Sequence, residues 1–187
     1  MKTCTIEVEV TMKNIKFGNY SLKELEEDDL TPYYMAAFDS PDEKNRFYTG
    51  TLTSFSLEEI KAYLQAIRQD QSRYDFLIME EDEVLGEVVL NDIKNTRGHY
   101  RISIFRQENF SKGIGYKASV KILDFAFEEL KLDAVELEVF PFNERAIALY
   151  KNLGFERTEE VIDHDADAPY KHIDVMVLNK KHYKNKK

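Results

Sequence analysis

Cysteine is nearly missing from this chain: its 187 residues contain one, Cys4. A lone thiol excludes an internal disulfide, and its place close to the terminus gives it no role as a nucleophile. Long apolar runs are missing too. No stretch approaches the ~20 residues that cross a bilayer, so a helical membrane span is excluded. Residues Met1 to Cys4 lead not into a secretory apolar core but into Ile6, Val8, Val10 and Met12, which alternate with Glu7 and Glu9. A cytoplasmic protein with no membrane partner is the expectation. Basic charge is also short, with 26 Lys and Arg against 35 Asp and Glu, a net charge of −9. Nucleic acid is therefore not expected as a general partner, because phosphate backbones need clustered cations. The exception is the tail, where Lys180, Lys181, Lys184, Lys186 and Lys187 read as a frayed, solvated end or as an RNA contact. Metal ligands are sparse as well. His164, Asp165 and Asp167 share one loop with no second cluster at ligand spacing, which reads as an acidic hairpin loop and no metal site. No repeat, linker or low-complexity segment divides the chain, and its length suits one domain with a sizeable core.

What is present reads as an α/β protein. Residues 6–12 alternate apolar and charged, and Tyr20 to Leu25 alternates again after Gly18-Asn19, predicting two early strands. Glu26 to Asp29 puts carboxylates ahead of a segment carrying Leu30, Tyr33, Tyr34 and Phe38, as a helix N-terminus prefers, and Ser40-Pro41 ends it. From Asp42 to Phe55 no period is evident. Phe47, Tyr48 and Phe55 there suggest buried packing, with a substrate lid as the alternative. Ser56 and Glu59 form a capping box that opens a helix with Leu57, Ile60, Leu64 and Ile67 inward, ending near Gln69. Tyr74 to Met79 and Val84 to Leu90 flank an acidic turn and predict a hairpin. Strands follow at Tyr100 to Phe105, Ala134 to Phe140, Phe155 to Ile162 and Lys171 to Leu178. Asn143 to Leu153 is a short helix closed by Gly154. This order predicts a mixed sheet that is largely antiparallel at its start.

The stretch Ser111-Lys112-Gly113-Ile114-Gly115-Tyr116-Lys117-Ala118 joins a strand to a helix running to about Leu130. Two glycines let backbone approach a ligand closely, and a helix N-terminus presents unpaired N–H groups and a positive dipole end. Phosphate is the natural guest. The helix carries Val120, Leu123, Phe127 and Leu130 on one stripe and Lys117, Lys121, Asp124 and Glu128 on the other. Gly113-x-Gly115-x-x-Ala118 with Glu136 downstream formally matches a dinucleotide fingerprint. The context does not: Arg106 to Lys112 separates strand from glycine, and only two short strands follow residue 155. A nicotinamide enzyme is set aside on that mismatch.

Taken together with Asn143-Glu144-Arg145-Ala146-Ile147-Ala148-Leu149-Tyr150 and the Gly154-Phe155 that closes the helix, the loop resembles the GNAT superfamily of N-acetyltransferases. The resemblance covers about residues 20–180, and its specific part is Tyr100 to Phe155. The segment from Tyr20 to Leu25 and the closing strand from Asp174 to Leu178 look like the branch that acetylates ribosomal-protein N-termini and its polyamine-acetylating relatives. The resemblance implies a partly antiparallel central sheet, splayed between its fourth and fifth strands, with helices on both faces. It implies acetyl-CoA as co-substrate, with pyrophosphate on the amides of Ser111, Lys112, Gly113, Ile114, Gly115 and Tyr116. Backbone of Ile104 and Arg106 would pair with the pantetheine arm, with Phe105 between them as a further cofactor-binding residue, and Asn143 and Ala146 would face the cofactor. Asn143 is also a favoured helix N-cap, and both roles are compatible. The family pattern places Arg or Gln where this chain has Phe110.

By the same resemblance Tyr150 protonates the departing thiolate; without it, the residue reads as a core tyrosine beside Leu149 and Leu153. The acceptor is a primary amine, either a protein N-terminal α-amine or a polyamine, the latter favoured by the acidic body. At pH 7 a lysine-like amine of pKa ~10.4 is neutral about once in two thousand molecules, whereas an α-amine of pKa ~7.8 is neutral about one time in seven. The strand from Arg101 to Phe105 carries no carboxylate base, which tilts the reading towards the α-amine or towards a water chain. Glu87 and Glu138 are the candidate bases, His99 a weaker one. A CoA-binding module without catalysis is the reading from another class. Either a monomer or a homodimer fits.

Overall fold

The computed structural model describes residues 14–184. The strand expected over residues 5–13 and the last lysines of the tail, Lys186 and Lys187, lie outside them. Eight strands form one sheet: β1 (Asn14–Phe17), β2 (Tyr20–Glu24), β3 (Tyr74–Glu80), β4 (Glu83–Lys94), β5 (Arg97–Ile104), β6 (Ala134–Val139), β7 (Glu156–Ile162) and β8 (His172–Asn179), in the order β1-β2-β3-β4-β5-β6-β8-β7. Every neighbouring pair is antiparallel except β5 and β6. That exception follows from the connection, because the helix between β5 and β6 returns the chain to the same end of the sheet.

Two groups of apolar side chains sandwich this sheet. On one face Leu22, Phe76, Val88, Leu90, Tyr100, Val135, Leu137 and Met176 pack beneath the helices α4 (Ile114–Asp124) and α5 (Glu144–Leu153). On the other face Leu77, Met79, Val84 and Phe105 pack beneath α1 (Leu30–Tyr34) and α3 (Leu57–Ile67). Strand residues alternate between the two groups, as a sheet covered on both sides requires. Ser56 accepts from the Glu59 N–H and Glu59 accepts from the Ser56 N–H, so the expected capping box opens α3. Gly154 closes α5 with a φ of 103°.

Two expectations are corrected. Residues Asp42 to Phe55 hold a helix, α2 (Glu43–Thr49), capped by Asp42, whose carboxylate accepts the Asn45 N–H at 3.0 Å. Its Phe47 is 44% exposed, so the expected burial fails there, while Phe55 does pack against the group of Leu77, Met79, Val84 and Phe105. The second correction concerns α4, whose buried residues are Ile114, Ala118, Ser119, Ile122 and Leu123, followed by Phe125, Ala126 and Phe127 in a π-helical turn over Phe125–Glu129. The wider turn shifts the register, so the buried stripe is not a single 3.6-residue repeat through Val120 and Leu130. The last helix is α6 (Lys180–Lys184).

The seam between β5 and β6 positions everything that follows. Only Arg97↔Ala134, Gly98↔Val135 and His99↔Glu136 are paired. Beyond His99, β5 stays with β4 as far as Ile104↔Gly86, and β6 stays with β8 as far as Val139↔Asp174. The strands have splayed, as the resemblance implied. Gly86 helps hold β5 close to β4, since a Cβ there would lie 2.3 Å from the Ser103 carbonyl oxygen.

Candidate active site

A cleft of about 680 Å³ fills the splay, a size suited to a small-molecule site. Its walls are β5 from His99 to Ile104, β6 from Glu138 onward, the first turn of α4, one side of α5 and the end of α2. Strand geometry settles which backbone groups face it. The Phe105 N–H donates to the Leu85 carbonyl on β4 at 2.9 Å. Alternation along β5 therefore turns the main-chain groups of Arg101 and Ser103 towards β4, and those of Tyr100, Ile102 and Ile104 into the gap. Ile104 fits the expected backbone partner of a pantetheine arm. Phe105 does not, because its N–H is already used. Arg106 also falls outside the cleft lining, with its guanidinium on the Ser40 carbonyl and its own carbonyl accepting the Asn109 N–H.

The N-terminus of α4 opens at one end of the cleft. Side chains of Asp42, Ser56 and Asn143 cap α2, α3 and α5, but the N-cap of α4 is Gly113, with no side chain to accept a bond. The first-turn amides of α4 are thus left for an anion, the arrangement a phosphate needs. Gly113 has a φ of 76°, and nothing lies within 4 Å of where its Cβ would be, so the room beside it is open. The turn is pinned from behind: the Tyr100 hydroxyl lies 2.6 Å from Ser119 Oγ, which donates to the Gly115 carbonyl at 2.6 Å. Ser111, Gly113, Ile114, Gly115 and Tyr116 line the cleft. Lys112 does not; its ammonium turns back to Asn109 Oδ1 at 2.9 Å.

α5 supplies the opposite wall. Asn143 Oδ1 accepts the Ala146 N–H at 3.2 Å, so the asparagine caps its helix while lining the cleft with Ala146. Tyr150 is 6% exposed, its ring 6.3 Å from that of Tyr100 and 5.9 Å from that of Phe155. Burial pushes its phenol up to about 12, and the nearby Arg145 guanidinium opposes that rise. It is a protonated donor throughout the neutral range. Arg145 is the residue that sequence reasoning missed. Its guanidinium lies 3.4 Å from the centre of the Phe110 ring and 5.6 Å from that of Tyr48. A cation carried by α5 is thus stacked on the phenylalanine at position 110. Its position two residues after Asn143, at the start of the same helix, was the available signal.

The other face of the sheet holds the carboxylates. Glu87 is outside the cleft lining, and both its oxygens are engaged: Oε2 accepts the Tyr33 hydroxyl at 2.6 Å and Oε1 lies 3.9 Å from the Arg101 guanidinium. That placement corrects Glu87 as a candidate base. Glu138 does line the cleft and is exposed, as is His99 in part. α2 leans over this side, with Asn45 Oδ1 accepting the Ser103 hydroxyl at 3.0 Å and Asn143 Nδ2 reaching the Tyr48 carbonyl at 3.5 Å. Phe47, Phe140, Phe142 and Tyr170 form one ring cluster at the mouth. Tyr74 packs instead on Phe125, 5.0 Å away in the core. His164, Asp165 and Asp167 are exposed on the β7–β8 loop, and no group of three metal-ligating side chains is found among the described residues.

Comparison with known proteins agrees with this arrangement. The acetyltransferase PseH of Campylobacter jejuni is 28% identical over 110 residues, 59% of this chain and 66% of PseH. The N-acetyltransferase p20 of Bacillus licheniformis is 29% identical over 95 residues, 50% of this chain and 53% of p20. The chain thus spans from about half to just under two thirds of these relatives. The spermidine N-acetyltransferase of Vibrio cholerae, solved with CoA and spermine, superposes with a TM-score of 0.78 at 21% identity, covering 89% of this chain and 99% of that one. The family model for the acetyltransferase (GNAT) domain matches residues 20–156, which takes in the glycine loop, the splayed strands and Tyr150, and the chain belongs to that family.

Proposed function

We propose that this protein transfers an acetyl group from acetyl-CoA to a primary amine by direct attack of the amine on the thioester. The observation that carries the reading is the cleft itself, an opened β5–β6 ladder with an uncapped helix N-terminus at one end and the Tyr150 phenol in its wall. Acetyl-CoA would supply the activated acetyl carbon. The amides of Ile114 to Tyr116 and the Arg145 guanidinium hold the phosphates, and the main-chain groups of Ile102 and Ile104 hold the arm that lies in the gap. The amine arrives from the α2 side, having given up one proton, and its nitrogen lone pair forms the new C–N bond. The C–S bond breaks and Tyr150 gives its proton to the sulfur, while the second proton, shed by the nitrogen as it becomes an amide, returns through water to the Tyr150 phenolate. Glu138, the carboxylate that lines the cleft, takes the proton released by the amine, either directly or through water.

An α-amine is the acceptor this machinery favours. It needs little help to become neutral, and no carboxylate sits on β5 to provide more. Polyamine acetylation is the second reading, favoured by the likeness to the Vibrio cholerae enzyme and by the net charge of −9. The test is free-thiol release from acetyl-CoA with short peptides bearing free α-amines in one reaction and spermidine in another. Release with peptides supports the first reading and release with spermidine the second. Acetyl-CoA binding without release from any amine would instead indicate a CoA-binding module.

A further inference from the structure

The acceptor side of the cleft carries one divided ion pair. Continuing the β5–β6 register two residues past His99↔Glu136 would set Arg101 opposite Glu138, on the face shared with His99 and Ser103. The ladder ends before that pair can form. Where the strands are still joined, charges on the same face do meet, on the diagonal between Arg97 and Glu136 at 3.2 Å. Past the splay, Glu138 stands exposed on one bank and Arg101 lines the other, its side chain 52% exposed.

Arg101 is held from below. Glu87 Oε1 lies 3.9 Å away, and Tyr33 fixes Glu87 in turn at 2.6 Å. A guanidinium has five N–H donors in a planar fork, so these partners orient it without exhausting it. Arg101 itself lines the cleft. Among the described residues the only other charged one of the lining is Arg145, which lies on the α5 wall against Phe110. The lining thus carries two cations and one carboxylate, with Glu87 behind Arg101, inside a protein of net charge −9; it has no cluster of carboxylates to meet the further ammonium groups of a polyamine.

We infer that Arg101 and Glu138 together read an acceptor carrying a primary amine and, a few bonds away, an anionic group: Glu138 faces the amine and Arg101 binds the anion. The inference rests on the proposed acetyl transfer and narrows its acceptor. The anion is a carboxylate or a phosphate, on a small molecule or on the second residue of a peptide, since the fork suits either oxyanion.

The experiment measures kcat/KM with matched amines: O-phosphoethanolamine and β-alanine against ethanolamine and spermidine, and the peptides Ser-Asp-Gly-Gly and Ser-Lys-Gly-Gly. At least one anionic amine is expected to exceed its uncharged or cationic counterpart by about 10- to 100-fold, the range of a charge-assisted hydrogen bond. Arg101→Gln should abolish that preference, costing the anionic amines at least tenfold more than the neutral ones, and Arg101→Lys should restore part of it. The double variant Glu87→Gln/Arg101→Gln, which leaves no uncompensated carboxylate, guards against misfolding and is expected to match Arg101→Gln. Spermidine as the best acceptor, or an equal loss on all amines in both Gln variants, overturns the inference. The same amines are also titrated calorimetrically in the presence of CoA. If no amine releases thiol, Arg101-dependent binding of the anionic members alone would retain this inference while the transfer reading falls, and its absence would overturn both.

Discussion

Replacing Tyr150 by Phe separates chemistry from packing at a single atom. The ring stays between Tyr100 and Phe155, 6.3 and 5.9 Å away, so the core loses no volume. Among the described residues no protein hydrogen bond to the hydroxyl is seen, so stability should change by about 0.5 kcal/mol or less, about 2 °C in Tm. The kinetic cost is larger. A thiol ordinarily titrates near ~8.5, so a phenol at about 12 would protonate a solvated thiolate uphill by about 3.5 pKa units, roughly 5 kcal/mol. Burial raises the thiol beside it as well, which brings donor and acceptor towards balance. Water, with a pKa of ~15.7, is a weaker donor by about 4 further units. Half of that expressed in the transition state is about a hundredfold, and lost positioning takes the expected fall in kcat to about 10²–10⁴. Steady-state thiol release at saturating acetyl-CoA measures it, with calorimetry checking that cofactor affinity is kept. In the unsubstituted protein kcat/KM should climb with pH as the amine deprotonates and then stay level to about pH 10, because the phenol keeps its proton. A fall in kcat of less than threefold, or a descending limb between pH 8 and 9, would refute Tyr150 as the proton donor.

Gly113→Ala places a methyl in open room but on a backbone with a φ of 76°, a strain of about 1–2 kcal/mol; acetyl-CoA affinity by titration should fall while the melting temperature drops by only a few degrees. Gly86→Ala sets a Cβ 2.3 Å from the Ser103 carbonyl, so β5 must shift, and a loss of about 1–3 kcal/mol in chemical denaturation is expected together with lower activity. Alkali should unfold the protein through its buried phenols. The Tyr150 pKa is raised from 10.0 to about 12, so its contribution to stability is intact below pH 10 and is lost as pH rises towards 12. That loss amounts to about 2–3 kcal/mol. Tyr33 and Tyr100, raised by burial first and then by the Glu87 and Tyr150 charges respectively, act in the same direction, and thermal melts at stepped pH should show it.

Much of this architecture can be read from local chemistry. The capping box at Ser56 and Glu59, the Asn143 to Gly154 helix and the hairpin across the acidic turn are each written within a dozen residues, where cap and turn preferences act. α2 was legible too, from Asp42 at its N-cap and Gly50 at a φ of 68°, but seven residues are too few to display a period. What cannot be read locally is commitment between distant residues. Nothing near Glu87 announces that Tyr33, 54 residues earlier, takes one of its oxygens. Nothing near Phe110 announces that Arg145 lies on its ring. The buried stripe of α4 drifted for a further reason, because a π-helical turn is a response to packing and has no period of its own in sequence.

The short seam between β5 and β6 has a mechanical meaning. Backbone bonding divides the sheet into two plates, β1 to β5 and β6 with β8 and β7, riveted at three residue pairs along one end. Elsewhere the plates are tied by side-chain packing under α4 and, across the mouth, by the Asn143–Tyr48 contact and the ring cluster of Phe47, Phe140, Phe142 and Tyr170. Packing of this kind yields by small sliding where ladders do not. A chain laid in the gap with its own backbone bonds to both banks would tie the two plates together beyond the riveted end and make one continuous body of them.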